Sequence, residues 1–349
     1  MTEYSKSYKN LENKKWILIL ASLIIMLITS LICTTLGITE SSVADVLKTI
    51  IRGISSDVDL STSEKVILNL RLPRTTLALI AGAGLSLSGI LMQNVTRNPL
   101  VSPFTLGISS AAGFGASIAI LSGITIFNSN NIAIVVFAFF MSLLCAFLTF
   151  ALSSKNSINS ISLILVGTAL NYLFQALSTT AQFIAEDTKL ASIVNWIFGS
   201  LNGAKWSQVK IVAIVILICL ISSQILNKNF TILSVMDDEL AKTSGINPKQ
   251  TRIYGLLIST LMTATIISFT GVIGFVGLAA PHIARSIIGS NNKYLIPFGS
   301  IVGALLLLIS DTIGRLILSP IIIPVGIVIS FIGVPIFLHQ VALKRRTYG

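Results

Sequence analysis

The chain alternates between long apolar runs and short polar intervals over almost its whole length. Many runs span about 20 residues, which at about 1.5 Å per helical residue matches the roughly 30 Å hydrocarbon core of a bilayer. We predict ten membrane segments, at residues 16–36, 72–92, 104–123, 132–152, 160–184, 207–226, 251–271, 275–289, 294–314 and 324–342. The eighth is short and rich in Gly and Pro, so we expect it to cross only part of the membrane.

Composition supports this pattern. Hydrophobic residues make up 53% of the 349 positions and charged residues only 11%, under half of the roughly 25% found in soluble domains. Mean hydropathy is +0.89. A β-barrel would show weaker alternating segments of about ten residues. Such segments do not dominate this sequence. The sequence therefore predicts an all-α polytopic membrane protein that forms one membrane-embedded domain, residues 1–349.

The net charge of +11 comes from Lys and Arg clusters between the apolar runs. The positive-inside rule explains such clusters better than nucleic-acid binding does, so we expect a bilayer and no nucleic acid as partner. Residues 1–15 are predicted to be a retained cytoplasmic tail, because no A-x-A cleavage site follows the first run. An even number of crossings places both termini in the cytoplasm. Residues 37–71 are then outside, where Thr39 to Ile54 is predicted to form an amphipathic surface helix.

A polar interval at residues 227–252 separates two apolar segments, and the crossing count places it in the cytoplasm. Asp237, Asp238 and Glu239 suit the start of a short helix, because the helix dipole is positive there. Gly245 is predicted as the residue that ends this helix. From these residues alone, an ordinary solvated loop is the alternative.

Few ionisable residues lie within the predicted segments, which weighs against a proton- or ion-coupled transporter. Asp311 is the main exception, and Arg315 follows at i, i+4. This spacing predicts a charge pair at the outer end of the ninth segment, with a proton relay as the alternative. Gly82 and Gly84 are interpreted as sites of close helix packing. No Gly precedes a Lys, so no phosphate loop is present, and no spacing of Cys or His indicates a metal site.

Several motifs, in order from about residue 66 to the C-terminus, resemble the permease family of bacterial ATP-binding-cassette importers for iron–siderophores, haem and cobalamin. They are Arg71-Leu72-Pro73-Arg74, Arg97-Asn98-Pro99-Leu100, Gly274-Phe275-Val276-Gly277-Leu278, Pro281-His282-Ile283-Ala284-Arg285, Asp311-Thr312-Ile313-Gly314-Arg315 and Gly333-Val334-Pro335. The chain departs from the family where Ile322-Ile323-Pro324 replaces a common Glu-Leu-Pro.

The resemblance implies a ten-helix subunit that pairs with itself or with a close relative. It implies two cytoplasmic ATPase subunits, which would bind the ATP and Mg, so this chain is expected to hold no cofactor or metal and to be no enzyme itself. An external binding protein, a lipoprotein in a Gram-positive organism, would deliver the ligand. The family motifs imply ATPase coupling at Asp238, Glu239, Ala241 and Gly245, and binding-protein docking at Arg71, Arg74 and Arg315.

For the translocation path, the resemblance points to the fifth and tenth segments. Thr168, Asn171 and Gln175 lie at i, i+3 and i+7 and so share one helix face. Hydrogen bonding between helices is an equal alternative for these three residues. The expected function is import of a ferric siderophore across the cytoplasmic membrane. The alternatives are import of haem or cobalamin by the same architecture, and a secondary transporter that works alone.

Overall fold

The computed structural model describes residues 3–37, 42–54, 61–154 and 160–346. These residues contain no β-strand, and a π-helical turn at Ile67–Arg71 joins α3 directly to α4. The helices are α1 (Glu3–Thr35), α2 (Val43–Ile54), α3 (Thr62–Val66), α4 (Leu72–Thr96), α5 (Ile108–Ser122), α6 (Asn130–Ser154), α7 (Ser160–Phe183), α8 (Asp187–Ile197), α9 (Trp206–Ile225), α10 (Asn227–Val235), α11 (Asp238–Thr243), α12 (Pro248–Thr270), α13 (Val276–Ile288), α14 (Asn292–Leu316) and α15 (Val325–Arg346).

Within the described part of the chain, seven helical stretches are long and apolar enough to cross a membrane. They comprise α1, the continuous stretch from α3 to α4, α6, α7, α9, α12 and α14. Three shorter apolar helices complete the set, namely α5, α13 and the first half of α15. All ten coincide in order with the predicted segments. The 13 residues of α13 span only about 20 Å, less than the hydrocarbon core, as predicted for the eighth segment.

Helix α4 is the central element of the bundle and packs against α12, α13 and α14. Its contact with α14 is close because glycines face each other. A Cβ on Gly82 would overlap the Gly303 carbonyl oxygen, and the reverse also holds. Ser86 Oγ adds a hydrogen bond of 2.7 Å to the Gly299 carbonyl oxygen. The predicted packing role of Gly82 is thus confirmed.

Helices α1, α7 and α9 lie at the periphery, since only 17%, 22% and 28% of their apolar windows are buried. The predicted amphipathic helix is present as α2, although residues 38–41 lie outside the described part of the chain. Val46 and Thr49 of α2 are buried, while Leu47 and Ile51 are exposed. The period of four between exposed apolar residues is typical of a helix on a membrane surface.

Two groups of polar residues lie at opposite ends of the antiparallel pair α4 and α14. We name the end with Arg71 and Asp311 the outer end, and the end with α10 and α11 the inner end. Residues 227–252 are not a loop, because they form α10, α11 and the first turn of α12. The short helix predicted from Asp237, Asp238, Glu239 and Gly245 is present as α11.

Candidate coupling and docking sites

Helix α11 begins after Asp237 and ends in a left-handed cap at Gly245, as predicted. Gly245 has φ +80°, a conformation that a side chain disfavours. Its N–H donates to the Lys242 carbonyl oxygen at 3.0 Å, and the Ile246 N–H donates to the Ala241 carbonyl oxygen at 3.1 Å. This pair of bonds is the Schellman motif, and the buried Ile246 and Ala241 side chains provide its apolar contact.

One carboxylate attaches α11 to the membrane helices. Asp238 Oδ1 accepts from Arg97 Nη2 and from Arg252 Nη2, each at 2.7 Å, and Asp238 Oδ2 accepts from Arg252 Nη1 at 2.7 Å. We call these three residues the Asp238 clamp. Arg252 is 2% exposed, and Asp238 is 39% exposed. The charge-assisted pair with Arg252 is bidentate, which fixes its orientation as well as its distance.

The clamp joins four helices because each arginine also contacts backbone. Arg97 caps the C-terminus of α4 in the left-handed region, at φ 49°, and its Nε donates to the Leu233 carbonyl oxygen of α10 at 2.7 Å. Arg252 Nε, from α12, donates to the Val95 carbonyl oxygen of α4 at 3.3 Å. Hydrogen bonds from Arg252, then its positive charge and the contacts of Arg97, lower the pKa of Asp238 from 3.8 to about 2.

A buried amide network provides a second connection at the inner end. Asn94 Nδ2 of α4 donates to Asn292 Oδ1 of α14 at 2.9 Å. Asn292 Nδ2 donates to Thr231 Oγ1 of α10 at 3.1 Å. Asn292 is fully buried, so water competes little for these hydrogen bonds. Helix α10 is therefore fixed to both members of the central pair.

The four predicted coupling residues occupy different environments. Asp238 lies in the clamp, Ala241 is fully buried and Gly245 forms the cap, so these three determine where α11 lies. Gly245 and Glu239 are the exposed residues of the four, and of these two only Glu239 has a side chain. The sequence analysis missed the exposed apolar side chains beside it, Val235, Met236 and Leu240, which are 74%, 38% and 58% exposed. Apolar residues within a polar interval were the available signal.

At the outer end, Asp311 is buried between two arginines. The predicted i, i+4 pair is present, with Arg315 Nε 3.3 Å from Asp311 Oδ2. Arg74 is the closer partner, and its Nε and Nη2 lie 3.0 and 2.8 Å from the two carboxylate oxygens. Asp311 is 2% exposed. The contact of Arg74 with Asp311 therefore holds α4 against α14, while the contact of Arg315 with Asp311 lies within the end of α14.

The remaining donors at this end reach the C-terminus of α1. Arg71 Nη1 donates to the Thr34 and Thr35 carbonyl oxygens at 3.2 and 3.0 Å, and Arg315 Nη1 donates to the Leu36 carbonyl oxygen at 2.9 Å. These contacts satisfy carbonyl groups that the last turn of a helix leaves without partners. All three predicted docking arginines line one cavity of about 370 Å³.

The predicted path residues share one side of α7, next to its buried stripe. Thr168 and Asn171 are half-buried and Gln175 is exposed. Thr168 Oγ1 donates to the Ile164 carbonyl oxygen of its own helix at 2.7 Å. The neighbouring Tyr172 is 68% exposed, so this side of α7 is open in the single chain.

Comparison with known proteins agrees with this architecture. The FecCD transport family matches residues 23–343. The chain is 38% identical over 342 residues to "Putative ABC transporter permease protein MJ0087" of Methanocaldococcus jannaschii, covering 96% of each chain. It is 37% identical over 284 residues to "Fe(3+)-citrate import system permease protein YfmE" of Bacillus subtilis, covering 81% of this chain and 84% of that one.

A solved structure, "An inward-facing conformation of a putative metal-chelate type ABC transporter", superposes with a TM-score of 0.82 at 30% identity. The match covers 93% of this chain and 98% of the other. The family match and this superposition both extend over nearly the whole sequence. The chain therefore belongs to the FecCD transport family and is a multi-pass membrane permease subunit of the ABC-transporter type.

Proposed function

We propose that this chain imports a ferric siderophore, in a dimer of permease subunits that two cytoplasmic ATPase subunits drive. The observation that carries the proposal is α11, a helix of six residues held on one side by the Asp238 clamp and exposed on the other. An isolated helix of this length is unstable in water. Its rigid attachment therefore suits a surface that receives force from a partner.

The exposed side of α11 and the residues before it favour contact with another protein. Val235, Met236 and Leu240 expose apolar surface outside the membrane segments, and such grouped exposure is typical of an interaction site. Glu239 adds a charge that a basic residue of an ATPase would pair with. Asp238, Ala241 and Gly245 act as positioning residues, because they fix α11 against α4 and α12. This arrangement also supports a cytoplasmic location for the inner end and for both termini.

Coupling is tested most directly on the exposed side. A bulky residue at Ala241, or Gly245→Pro, would disrupt α11 itself and so could not separate folding from coupling. Leu240→Gln removes exposed apolar surface and leaves the clamp intact. We expect loss of ATP-driven uptake with normal binding-protein affinity, while Lys249→Gln, an exposed change outside α11, has no effect. Normal uptake in Leu240→Gln would contradict the coupling role.

The outer cavity is the proposed docking site for a binding protein. Arg71, Arg74 and Arg315 bring three positive charges against the single negative charge of Asp311, so the cavity suits an acidic residue of the partner. Arg74 and Arg315 already hold Asp311, and reversing their charge would disturb the fold. Arg71→Glu is the cleaner variant, and Lys65→Glu, exposed and outside the cavity lining, is its control. Unchanged binding-protein affinity in Arg71→Glu, at low and high salt, would contradict docking here.

The path is proposed to run between two permease subunits, along the open side of α7 with Thr168, Asn171 and Gln175. Bulky chelates need a wide path that binds them weakly, and a polar strip beside exposed aromatic residues provides weak contacts. Replacement of Asn171 and Gln175 by leucine should slow uptake without changing ATPase assembly. Thr180, an exposed residue of α7 outside the proposed path whose hydroxyl donates to the Ala176 carbonyl oxygen at 2.9 Å, serves as the control position, with Thr180→Ser.

The substrate is inferred from relatives whose names include Fe(3+)-citrate and metal-chelate transport. The deciding experiment is uptake into proteoliposomes that contain the complete complex with its ATPase and binding protein. We expect ATP-dependent uptake of iron-labelled siderophore in preference to haemin or cobalamin. Uptake of haemin or cobalamin alone would reassign the substrate. Transport by this chain alone, with only an ion gradient, would indicate a secondary transporter.

A further inference from the structure

A groove with an apolar wall runs between the peripheral helices α1 and α9, and α4 and α14 form its floor. Its volume is about 540 Å³. The lining includes Ser300, whose hydroxyl donates to the Ile296 carbonyl oxygen at 2.9 Å and so offers no donor to a ligand. The apolar lining from α1, α9 and α14 includes Ile19, Leu23, Ala213, Leu217, Pro297 and Ile301. At the depth of a bilayer, hydrocarbon suits such a wall and water does not.

The inner end of the groove carries cations. Lys15 lies one turn before Ile19 on α1, and Lys293 lies one turn before Pro297 on α14. Their Nζ atoms lie 5.0 and 5.2 Å from the ring centroid of Tyr294, within the range of cation–π contacts. These two lysines therefore both lie close to one ring at the mouth of the groove.

An aromatic pair fixes this mouth. The rings of Trp16 and Tyr294 meet edge to face, with centroids 5.6 Å apart. Trp and Tyr favour the boundary between headgroups and hydrocarbon. Gln224 Nε2 of α9 donates to the Lys293 carbonyl oxygen at 3.0 Å, which ties α9 to α14 at the same level. The groove is thus preformed, and preformed sites lose less conformational entropy on binding.

The charge at the mouth is positive even after its acidic residue is counted. Glu12 accepts from Lys293 Nζ at 3.1 Å and from the Tyr294 hydroxyl at 2.5 Å. Lys15 and Lys293 give two positive charges against one, a net charge of +1. Clusters of lysine at the headgroup level attract anionic lipid.

We propose that this site binds an anionic phospholipid, with one acyl chain in the groove and the phosphate against Lys15 and Lys293. Both parts of the ligand are needed. A neutral phospholipid fills the groove without compensating the lysines, and a soluble phosphate has nothing to fill the groove. The bound lipid packs α1 against α9 and does not depend on which substrate the permease carries.

The test is a titration of the purified full chain in mild detergent by native mass spectrometry. Phosphatidylglycerol and phosphatidylcholine with identical acyl chains are the two probes. We expect one phosphatidylglycerol bound per chain, more tightly than phosphatidylcholine. Lys15→Gln with Lys293→Gln should weaken it roughly 25-fold, because each cation near anionic lipid contributes about a factor of five. Glu12→Gln should strengthen it, and Lys249→Gln, exposed on α12 and outside the groove lining, should change nothing.

The acyl-chain part has its own matched pair of variants. Ala213→Trp fills the groove, whereas Ile214→Trp adds the same ring to the next residue, which is 59% exposed and outside the lining. Only Ala213→Trp should abolish binding. Circular dichroism and elution volume check that each variant is folded. In the wild-type chain, phosphatidylglycerol should raise the melting temperature more than phosphatidylcholine does.

Three results would each overturn the proposal. The first is equal affinity of the wild-type chain for the two phospholipids. The second is unchanged phosphatidylglycerol binding in the double lysine variant. The third is a change in the association of two chains, rather than in lipid binding, when Ala213→Trp fills the groove, since that would make the groove a contact between subunits.

Discussion

The Asp238 clamp gives the sharpest test of how α11 is held. Asp238→Asn removes the negative charge and one acceptor oxygen while it keeps the size of the side chain. The matched control is Asp237→Asn, because the Asp237 side chain is 90% exposed and its carboxylate lies 3.8 Å from Arg97. Each variant removes one negative charge, so a difference between them reports the clamp rather than charge in general.

The magnitude follows from the ionisation of Asp238. A pKa lowered from 3.8 to about 2 corresponds to about 2.4 kcal/mol in favour of the charged form in the native state. Asp238 is 39% exposed. Solvent screening therefore reduces its contribution to the stability of the native state to about 1–1.5 kcal/mol. Local opening of α11 should therefore become roughly 5–10-fold more frequent in Asp238→Asn.

Hydrogen–deuterium exchange measured by mass spectrometry reports this opening. Peptides that cover residues 233–246 should exchange roughly 5–10-fold faster in Asp238→Asn than in the wild-type chain. Peptides from the centre of α4 should be unaffected, because the change is local. If Asp238→Asn and Asp237→Asn exchange alike, the clamp does not hold α11 and the reasoning fails.

The pH dependence has a defined sign. The folded pKa of Asp238 lies below the unfolded value, so its contribution to stability is complete above pH 3.8 and is lost as the pH falls to about 2. Cleavage of α11 by pepsin, relative to a fully exposed reference peptide, should rise between pH 4 and pH 2. Asp238→Asn should show no such rise. A transition near neutral pH would indicate another group.

Three further sets of variants test the glycine packing of α4, the cap of α11 and the outer charge pair. Gly82→Val should destabilise the chain by about 2–3 kcal/mol, because its side chain overlaps the backbone of α14, whereas Gly113→Ala, whose Cβ would lie 3.9 Å from its neighbours, should melt like the wild type. Gly245→Ala should raise the free energy of the cap by about 1–2 kcal/mol through its left-handed φ, and Gly245→Asn by less; equal trypsin cleavage near α11 in both would contradict this. Arg74→Met should lower stability by about 3 kcal/mol, because the buried Asp311 loses its bidentate partner. Adding Asp311→Asn should restore part of that loss in thermal unfolding, and failure to do so would show that the charge is not responsible.

Local spacing in the sequence was enough to predict several of these features. The apolar runs gave the order of the membrane segments, because length and hydropathy are properties of contiguous residues. The pair Asp311–Arg315 and the cap at Gly245 were predictable for the same reason. Helix α8 shows the limit, since Asp187–Ile197 lies between the fifth and sixth predicted segments, where no helix was predicted.

Contacts between distant parts of the chain were not predictable from one sequence. Arg74 is 237 positions from Asp311, and Arg97 is 141 positions from Asp238. Their pairing depends on how α4 packs against α14 and α10, which no local pattern specifies. The path residue Asn171 stays a prediction for a different reason, because a path between two subunits is a property of the assembly.

The position of α4 has a mechanical consequence. Its 25 residues make a rod of about 37 Å, with Arg74 near one end and Arg97 at the other. A tilt of about 5° around its centre would displace each end by roughly 1.6 Å, within the range of helix shifts in switching proteins. Because the glycine contact at Gly82 leaves no space for α4 to tilt against α14, the two helices would tilt as one body. Helices α1 and α9, which are hydrogen-bonded to this pair through Arg71, Arg315 and Gln224, would be carried with it.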